Sequence, residues 1–265
     1  VKPLFGCYGR IHLVGIAGAG MAPLARLLAG MGCSVSGTDQ RGTALIQNLA
    51  AEGIRTESPH RAAAVDRADL VVYSAAVPAD NEELSRAETL GIPTVKRAEV
   101  VGELTRGIYA VGIAGSHGKT TCAAMMTTVL EEAGLEPSSL VGGQRQGRAW
   151  GRWGEGRHIV VEADEYDRSF LHLHPRAALV TNVDVDHLEC YGDLAGIDAA
   201  FIEYLGRVPF YGYKVVCSDD AGGRRLAAAV PGCLTYGLEE GGDFGVVQVV
   251  CNDQGSSGIA MGPNG

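Results

Sequence analysis

Seven consecutive residues, Gly115-Ser116-His117-Gly118-Lys119-Thr120-Thr121, place two glycines, a lysine and three hydroxyls between an apolar run and a helix-forming run. The backbone N–H groups of such a loop can cradle phosphates. A lysine at this point offers a point charge to β- and γ-phosphates, and the hydroxyl after it can bind Mg²⁺. The strict phosphate-loop pattern asks for glycine at 113, where this chain has Ile113, so the loop is a variant.

Two further polar clusters also follow apolar runs. In Val161-Glu162-Ala163-Asp164-Glu165-Tyr166-Asp167, carboxylates stand at the end of an expected strand, where an open α/β sheet faces its ligand. Mg²⁺ takes one or two carboxylates with phosphate oxygens and water, so Glu162 is a metal candidate. In Thr181-Asn182-Val183-Asp184-Val185-Asp186-His187, Asn182 and His187 are expected to face the same crevice. Cys190 lies near His187, but nothing nearby would orient the pair or bind an oxyanion, so Cys–His nucleophilic chemistry is not expected.

A second glycine turn, Gly15-Ile16-Ala17-Gly18-Ala19-Gly20-Met21, again joins strand to helix. Glycines let backbone approach a ligand, and a helix start offers N–H groups and partial positive charge. Asp39 ends the next apolar run, where a dinucleotide fold carries its ribose-binding carboxylate. The G-x-G-x-x-G spacing fails in both registers, at Ala17 and at Pro23. The turn predicts a nucleotide-diphosphate site without establishing NAD, and a tight turn with no ligand is the alternative.

The elements that position these groups follow from apolar patterning. Strands are expected at Arg10–Ile16, Cys33–Gly37, Asp69–Tyr73 and Pro93–Val95, with helices at Met21–Met31, Ala44–Ala51 and Asn81–Leu90. Further strands are expected at Ile108–Ala114, Ile159–Glu162, Ala177–Thr181 and Lys214–Cys217, with helices at Gly118–Ala133 and Ile197–Leu205. Near-continuous apolar strands alternating with helices predict parallel α/β sheets. The expected fold is a Rossmann-like domain over residues 1–106, then a P-loop NTPase-type α/β domain over 107–265. Residues 142–156 read as an irregular loop flanked by packing Trp150 and Trp153, and 234–261 as short strands with Gly-rich turns.

Composition removes several classes. Lys and Arg number 22 against 31 Asp and Glu, a formal net charge of −9, so the basic surface needed for nucleic acid is missing. No apolar run approaches the ~18 residues of a membrane span. Val1-Lys2-Pro3 begins no signal peptide, and seven scattered cysteines without C-x-x-C fit reduced thiols in a cytoplasmic protein. His12, His60, His158, His172 and His174 show no metal spacing. His172-Leu173-His174 would put both imidazoles on one face of a strand, but further zinc ligands are lacking.

Taken in order, GIAGAGMAPLA, SAAVPADNEE, KRAEVVGEL, GIAGSHGKTT, EADEYDRSFLHLHP, TNVDVDHLECY and VPFYGYKVVCSDD resemble the Mur ligases of cell-wall synthesis over nearly the whole chain. GAGM with PFYG and C-x-DD is most similar to the branch that adds L-alanine to UDP-N-acetylmuramic acid. The resemblance implies peptidoglycan synthesis, with ATP and Mg²⁺ required and an acyl-phosphate intermediate. It also implies a third, amino-acid-binding domain, so the sequence would be truncated before that domain and inactive alone. By the same resemblance, Gly18, Ala19, Gly20 and Met21 bind the UDP diphosphate, and Asp39, Ser74 and Arg97 make uridine-side contacts. Gly115, Ser116, His117, Gly118, Lys119, Thr120 and Thr121 bind ATP; Thr120, Glu162 and His187 hold the metal; and Lys119, Glu162 and His187 are catalytic. The family often has Asn-Ala-Arg in the loop before EADE, where this chain has Ala149-Trp150-Gly151-Arg152, and Tyr166 stands for the commoner Ser. Competing readings are a ligase that joins a tripeptide to the same sugar acid, an NAD-dependent oxidoreductase, and a non-catalytic nucleotide-binding module.

Overall fold

The computed structural model describes residues 4–142, 144–145, 148–149, 151–185, 188–238, 242–253 and 255–263. In chain order the first elements are β1 (Arg10–Val14), α1 (Met21–Gly30), β2 (Ser34–Thr38), α2 (Ala44–Ala51), β3 (Arg55–Glu57), β4 (Leu70–Tyr73), α3 (Glu82–Thr89), β5 (Thr94–Lys96) and α4 (Arg97–Arg106). There follow β6 (Tyr109–Ala114), α5 (Lys119–Glu132), β7 (Ser138–Leu140), β8 (Gln144–Arg145), β9 (Arg148–Ala149) and β10 (His158–Glu162). The last are β11 (Ala177–Val180), α6 (Leu188–Tyr191), α7 (Leu194–Gly206), β12 (Tyr213–Cys217), α8 (Ala221–Ala229), β13 (Cys233–Gly237), β14 (Phe244–Asn252) and β15 (Gly255–Met261). Residues 1–108 with 123–161 pack as one compact unit, and 109–122 with 162–265 as a second.

In the first unit, five strands lie in the order β3-β2-β1-β4-β5, every pair parallel. β1 is central, and Ile11, Leu13 and Val14 are at most 1% exposed, which explains its continuous apolar reading. The chain runs outward from β1 first through β2 and β3, then through β4 and β5. The ends of β1 and β4 therefore form a topological switch point, where open α/β sheets bind ligands. α1 buries Leu24, Ala25, Leu27 and Leu28, and its Pro23 is tolerated in the first turn, where no intrahelical donor is lost. β7 and β10 pair in parallel, Ile159 opposite Ser138. A Cβ on Gly151 would lie 2.4 Å from Pro23 Cα, and one on Gly30 2.9 Å from Trp153 Cβ, so this segment lies directly on α1.

In the second unit, six strands run in the order β15-β14-β13-β12-β11-β6. All neighbours are parallel except the β14–β15 hairpin. A stacked pair, Phe170 and Tyr204 with ring centroids 5.0 Å apart, and an edge-on Phe170–Phe201 pair at 5.2 Å fill the core beneath β6 and β11.

Several elements differ from expectation. α4 begins where no helix was expected, and the Glu99 carboxylate accepts the Lys96 N–H at 3.0 Å to cap it. α8 forms despite Gly222 and Gly223, because Asp220 caps it through the Gly223 N–H at 2.7 Å. The terminal stretch contains a nine-residue and a seven-residue strand in one long hairpin rather than several short strands. His172 ends a 3₁₀ segment over Tyr166–His172, so His172 and His174 share no strand face. Trp150 lies outside the described residues. Among the described residues no helix is long and apolar enough to cross a membrane, and all seven cysteines are free thiols.

Candidate functional site

The loop between β6 and α5 is locked by the segment that follows β11. Gly115 adopts φ +130°, and a Cβ there would lie 2.1 Å from Thr181 Oγ1, so only glycine fits. The Ser116 N–H donates to Asn182 O at 3.1 Å. The His117 N–H donates to Asn182 Oδ1 at 2.8 Å, while Asn182 Nδ2 donates back to His117 O at 2.9 Å. Thr181 Oγ1 donates to the same carbonyl at 2.6 Å, and the Asp184 N–H donates to Ser116 Oγ at 2.9 Å. The His117 imidazole stays exposed, 3.8 Å from Asp184 Oδ2, so this residue contributes its backbone to the loop. Gly118 takes φ +82° with open space around its Cβ position, and Thr121 is exposed.

Lys119 opens α5, and its ammonium donates to Gly115 O at 2.7 Å, Ser116 O at 3.3 Å and Glu165 Oε1 at 2.8 Å. Burial pushes the Glu165 carboxyl above its ordinary range, and Lys119 opposes that shift without cancelling it. Next to the lysine, Thr120 Oγ1 donates to Glu162 Oε1 at 2.6 Å. The end of β10 is brought here by the Ala163 N–H, which donates to Ile113 O at 2.9 Å. A hydroxyl and a carboxylate side by side are hard oxygen donors of the kind Mg²⁺ takes when phosphate and water complete its shell. Thr120 and Glu162 therefore fit that ion. His187 lies outside the described residues.

The first glycine turn forms at the switch point of the other sheet. The Asp39 carboxylate accepts the Ala17 N–H at 3.0 Å, which clips the turn to the end of β2. Gly18 O accepts the N–H groups of Met21 and Ala22, each at 3.0 Å, and starts α1 without a side-chain cap. The Met21 side chain is buried and Ala19 is exposed. A Cβ on Gly20 would lie 2.6 Å from an Arg97 guanidinium nitrogen, and one on Gly15 3.4 Å from Ser74 Cβ. The fold thus gathers Gly18, Gly20, Asp39, Ser74 and Arg97 around one helix start, a cationic and N–H-rich setting for a diphosphate.

Sequence reasoning left three contributors without a role. Thr181 and Tyr191 gave no signal, because each acts through a hydroxyl that donates to a distant backbone carbonyl, Thr181 to His117 O and Tyr191 to Glu165 O. Glu165 sits among the acidic residues Glu162, Asp164 and Asp167, and spacing alone could not select the one that turns inward.

The family model described as the Mur ligase family catalytic domain matches residues 10–109, and the Mur ligase middle domain matches 113–264. The curated UDP-N-acetylmuramate–L-alanine ligase of Paracidovorax citrulli is 44% identical over 242 residues, 90% of this chain and 51% of its own length. That of Delftia acidovorans is 45% identical over 233 residues, 87% and 49% respectively. The chain spans about half the length of the curated relatives it matches. The solved UDP-N-acetylmuramate-alanine ligase of Thermotoga maritima superposes with a TM-score of 0.84 at 28% identity, covering 96% of this chain and 58% of that one. The UDP-N-acetylmuramate:L-alanyl-gamma-D-glutamyl-meso-diaminopimelate ligase of Neisseria meningitides gives 0.83 at 27% identity, with 96% and 84% covered.

Proposed function

Because the chain belongs to the Mur ligase family, we propose that it supplies the UDP-substrate and ATP sites of a cytoplasmic ligase that joins L-alanine to UDP-N-acetylmuramic acid. The division at 106/107 into those two domains is supported by the change of family model between 109 and 113. One observation carries the ATP site: Lys119 and Thr120 stand together where a strand-to-helix loop enters α5, and the Glu162 carboxylate at the end of β10 meets the Thr120 hydroxyl there.

The lactyl carboxylate attacks the γ-phosphate of ATP in line and gives an acyl phosphate and ADP. The amine of L-alanine then displaces phosphate. Two anions must approach each other in the first step, so positioning and charge neutralisation dominate. Lys119 and the N–H groups at the start of α5 bind and orient the polyphosphate. Asn182 and Thr181 hold the loop in shape for it through the His117 carbonyl. Thr120 and Glu162 would hold Mg²⁺, which when bound neutralises phosphate charge. In the other domain Gly18, Ala19, Gly20, Met21 and the start of α1 hold the UDP diphosphate, with Asp39 and Ser74 on the uridine side; Arg97, expected on the uridine side, is read here with the diphosphate because its guanidinium lies against Gly20.

The tripeptide-adding reading keeps one specific support, the Neisseria structure matched at nearly the same TM-score. An NAD-dependent oxidoreductase would leave the Gly115–Thr121 loop without a task. The test is twofold. In the whole ligase that carries this chain, Lys119→Ala should lower turnover by about 10²–10³, the scale of losing one preorganised donor. L-alanine should be preferred to the tripeptide as acceptor. Near-normal turnover in Lys119→Ala, or tripeptide preference, would reject the corresponding half of the reading.

A further inference from the structure

Glu165 is a carboxylate where a polyphosphate-binding loop has reason to keep negative charge out. It is 4% exposed, and Lys119 Nζ lies 2.8 Å from both Oε1 and Oε2, although only Oε1 accepts a well-directed hydrogen bond. Its backbone is tied down. The buried Tyr191 hydroxyl and the Arg168 N–H both donate to Glu165 O, and the Phe170 N–H donates to Asp164 O. The next turn holds Asp167 and Arg168 in the left-handed region, at φ +52° and +54°, and the fully buried Phe170 ring anchors it. Such strain persists only where the surroundings over-determine it. The carboxylate is thus presented from a rigid seat.

An ammonium has three N–H donors. In Lys119 all three have acceptors, two in its own loop and one on Glu165. For this lysine to donate to a phosphate oxygen, it must release one of them. Glu165 also neutralises the charge that the phosphate would seek.

We propose that Glu165 is a positioning residue that holds Lys119 against its own loop and thereby weakens binding of the nucleotide polyphosphate. The inference rests on the reading of this loop as an ATP site. The side chain of Glu165 meets the loop through Lys119, so its effect passes through that lysine.

The experiment titrates Mg²⁺ and a fluorescent methylanthraniloyl-ATP into this chain and into Glu165→Gln, Glu165→Asp, Lys119→Ala and the Lys119→Ala/Glu165→Gln pair. Glu165→Gln should tighten binding about tenfold, the scale of one hydrogen bond to a charged group that Lys119 no longer spends on a carboxylate. Glu165→Asp keeps the charge and should stay near the parent affinity. In the Lys119→Ala background most of the gain should vanish. A residue needed only for folding would weaken binding or leave it unchanged, not tighten it. Unchanged or weaker binding by Glu165→Gln at an unchanged melting temperature overturns the proposal, as does an equal gain in both backgrounds. Should the Gln variant melt early, Glu165→Met, which keeps volume without charge, replaces it in the same titration. If Lys119→Ala binds as well as the parent, or the parent binds no nucleotide, the ATP reading falls and takes this proposal with it. If Lys119 matters and Glu165 does not, only this proposal falls.

Discussion

Two glycines three residues apart illustrate how differently one residue type can be required. Gly115 is fixed by both backbone and neighbours, with φ at +130° and Thr181 Oγ1 and Asn182 O within 2.9 Å of any added Cβ. Gly118, at φ +82°, has nothing within 4 Å of that position. Gly118→Ala should therefore cost only the left-handed backbone preference, about 1–2 kcal/mol. Gly115→Ala must also displace Thr181 from the His117 carbonyl and reshape the loop. Its stability should fall by about 1–3 kcal/mol more than that of Gly118→Ala. Its nucleotide affinity should fall by at least about tenfold, as a charge-assisted contact is lost. Thermal melts and the nucleotide titration read both, and equal losses in the two variants would contradict this account.

At the scale of elements, the N-terminus of α3 carries a buried carboxylate into the core of the first sheet. Glu83 accepts from Thr38 Oγ1 at 2.7 Å and from the Arg61 N–H at 2.9 Å, with His12 Nε2 at 3.3 Å. Burial alone would raise this carboxyl, but His12, Thr38 and the Arg61 amide outweigh it and hold the group below its ordinary value of 4.5. With a lowered folded-state pKa, the unfolded chain binds more protons across the carboxyl range. The stabilisation is therefore present above that range and lost as pH falls through it. Glu83→Gln should cost about 1–3 kcal/mol at neutral pH by leaving donors poorly matched, and should flatten the loss of stability below about pH 5. Urea midpoints from pH 7 to 4 decide; an unchanged acid slope would remove Glu83 from this role. Elements differed in how far they could be read beforehand. β4, β6 and β11 are interior parallel strands apolar on both faces, so LVVY, YAVGIA and AALV announce themselves, and RIHLV of β1 departs from this only by the exposed Arg10 and the buried, hydrogen-bonded His12. α8 opens with two glycines that argue against a helix, yet Cβ atoms there would strike Val183 and the Cys217 carbonyl, so packing demands what propensity disfavours. α4 has Lys96 at its N-cap in place of the usual hydroxyl or carboxamide residue, and only Glu99 signals it. The phosphate loop, the first glycine turn and the Glu162 strand end were legible because their chemistry is local in sequence. The Lys119–Glu165 pair was not, since it depends on which of several carboxylates the 3₁₀ turn directs inward.

Over the whole molecule, the chain carries a net charge of −9, while the proposed function asks it to bind two polyphosphate anions. Attraction for such ligands must come from local cations and helix starts rather than from the overall field. Arg97 and Lys119 belong to different compact units, so their effects should separate. Arg97→Ala should weaken UDP-N-acetylmuramic acid by about 10–100-fold, the range for a hydrogen bond to a charged group, and leave nucleotide binding unchanged. Lys119→Ala should do the reverse. Calorimetric titration of each ligand into each variant tests this, and a loss of both ligands in either variant would show that the two sites are not independent. Arg97 also fills the space that any side chain at position 20 would need. The atoms in the way are the tip of a long, flexible side chain, so one methyl group at position 20 would swing the guanidinium aside and leave the fold intact. What such a change would forfeit is the aim of the cation, and a shorter residue at 97 would put no matching demand on position 20.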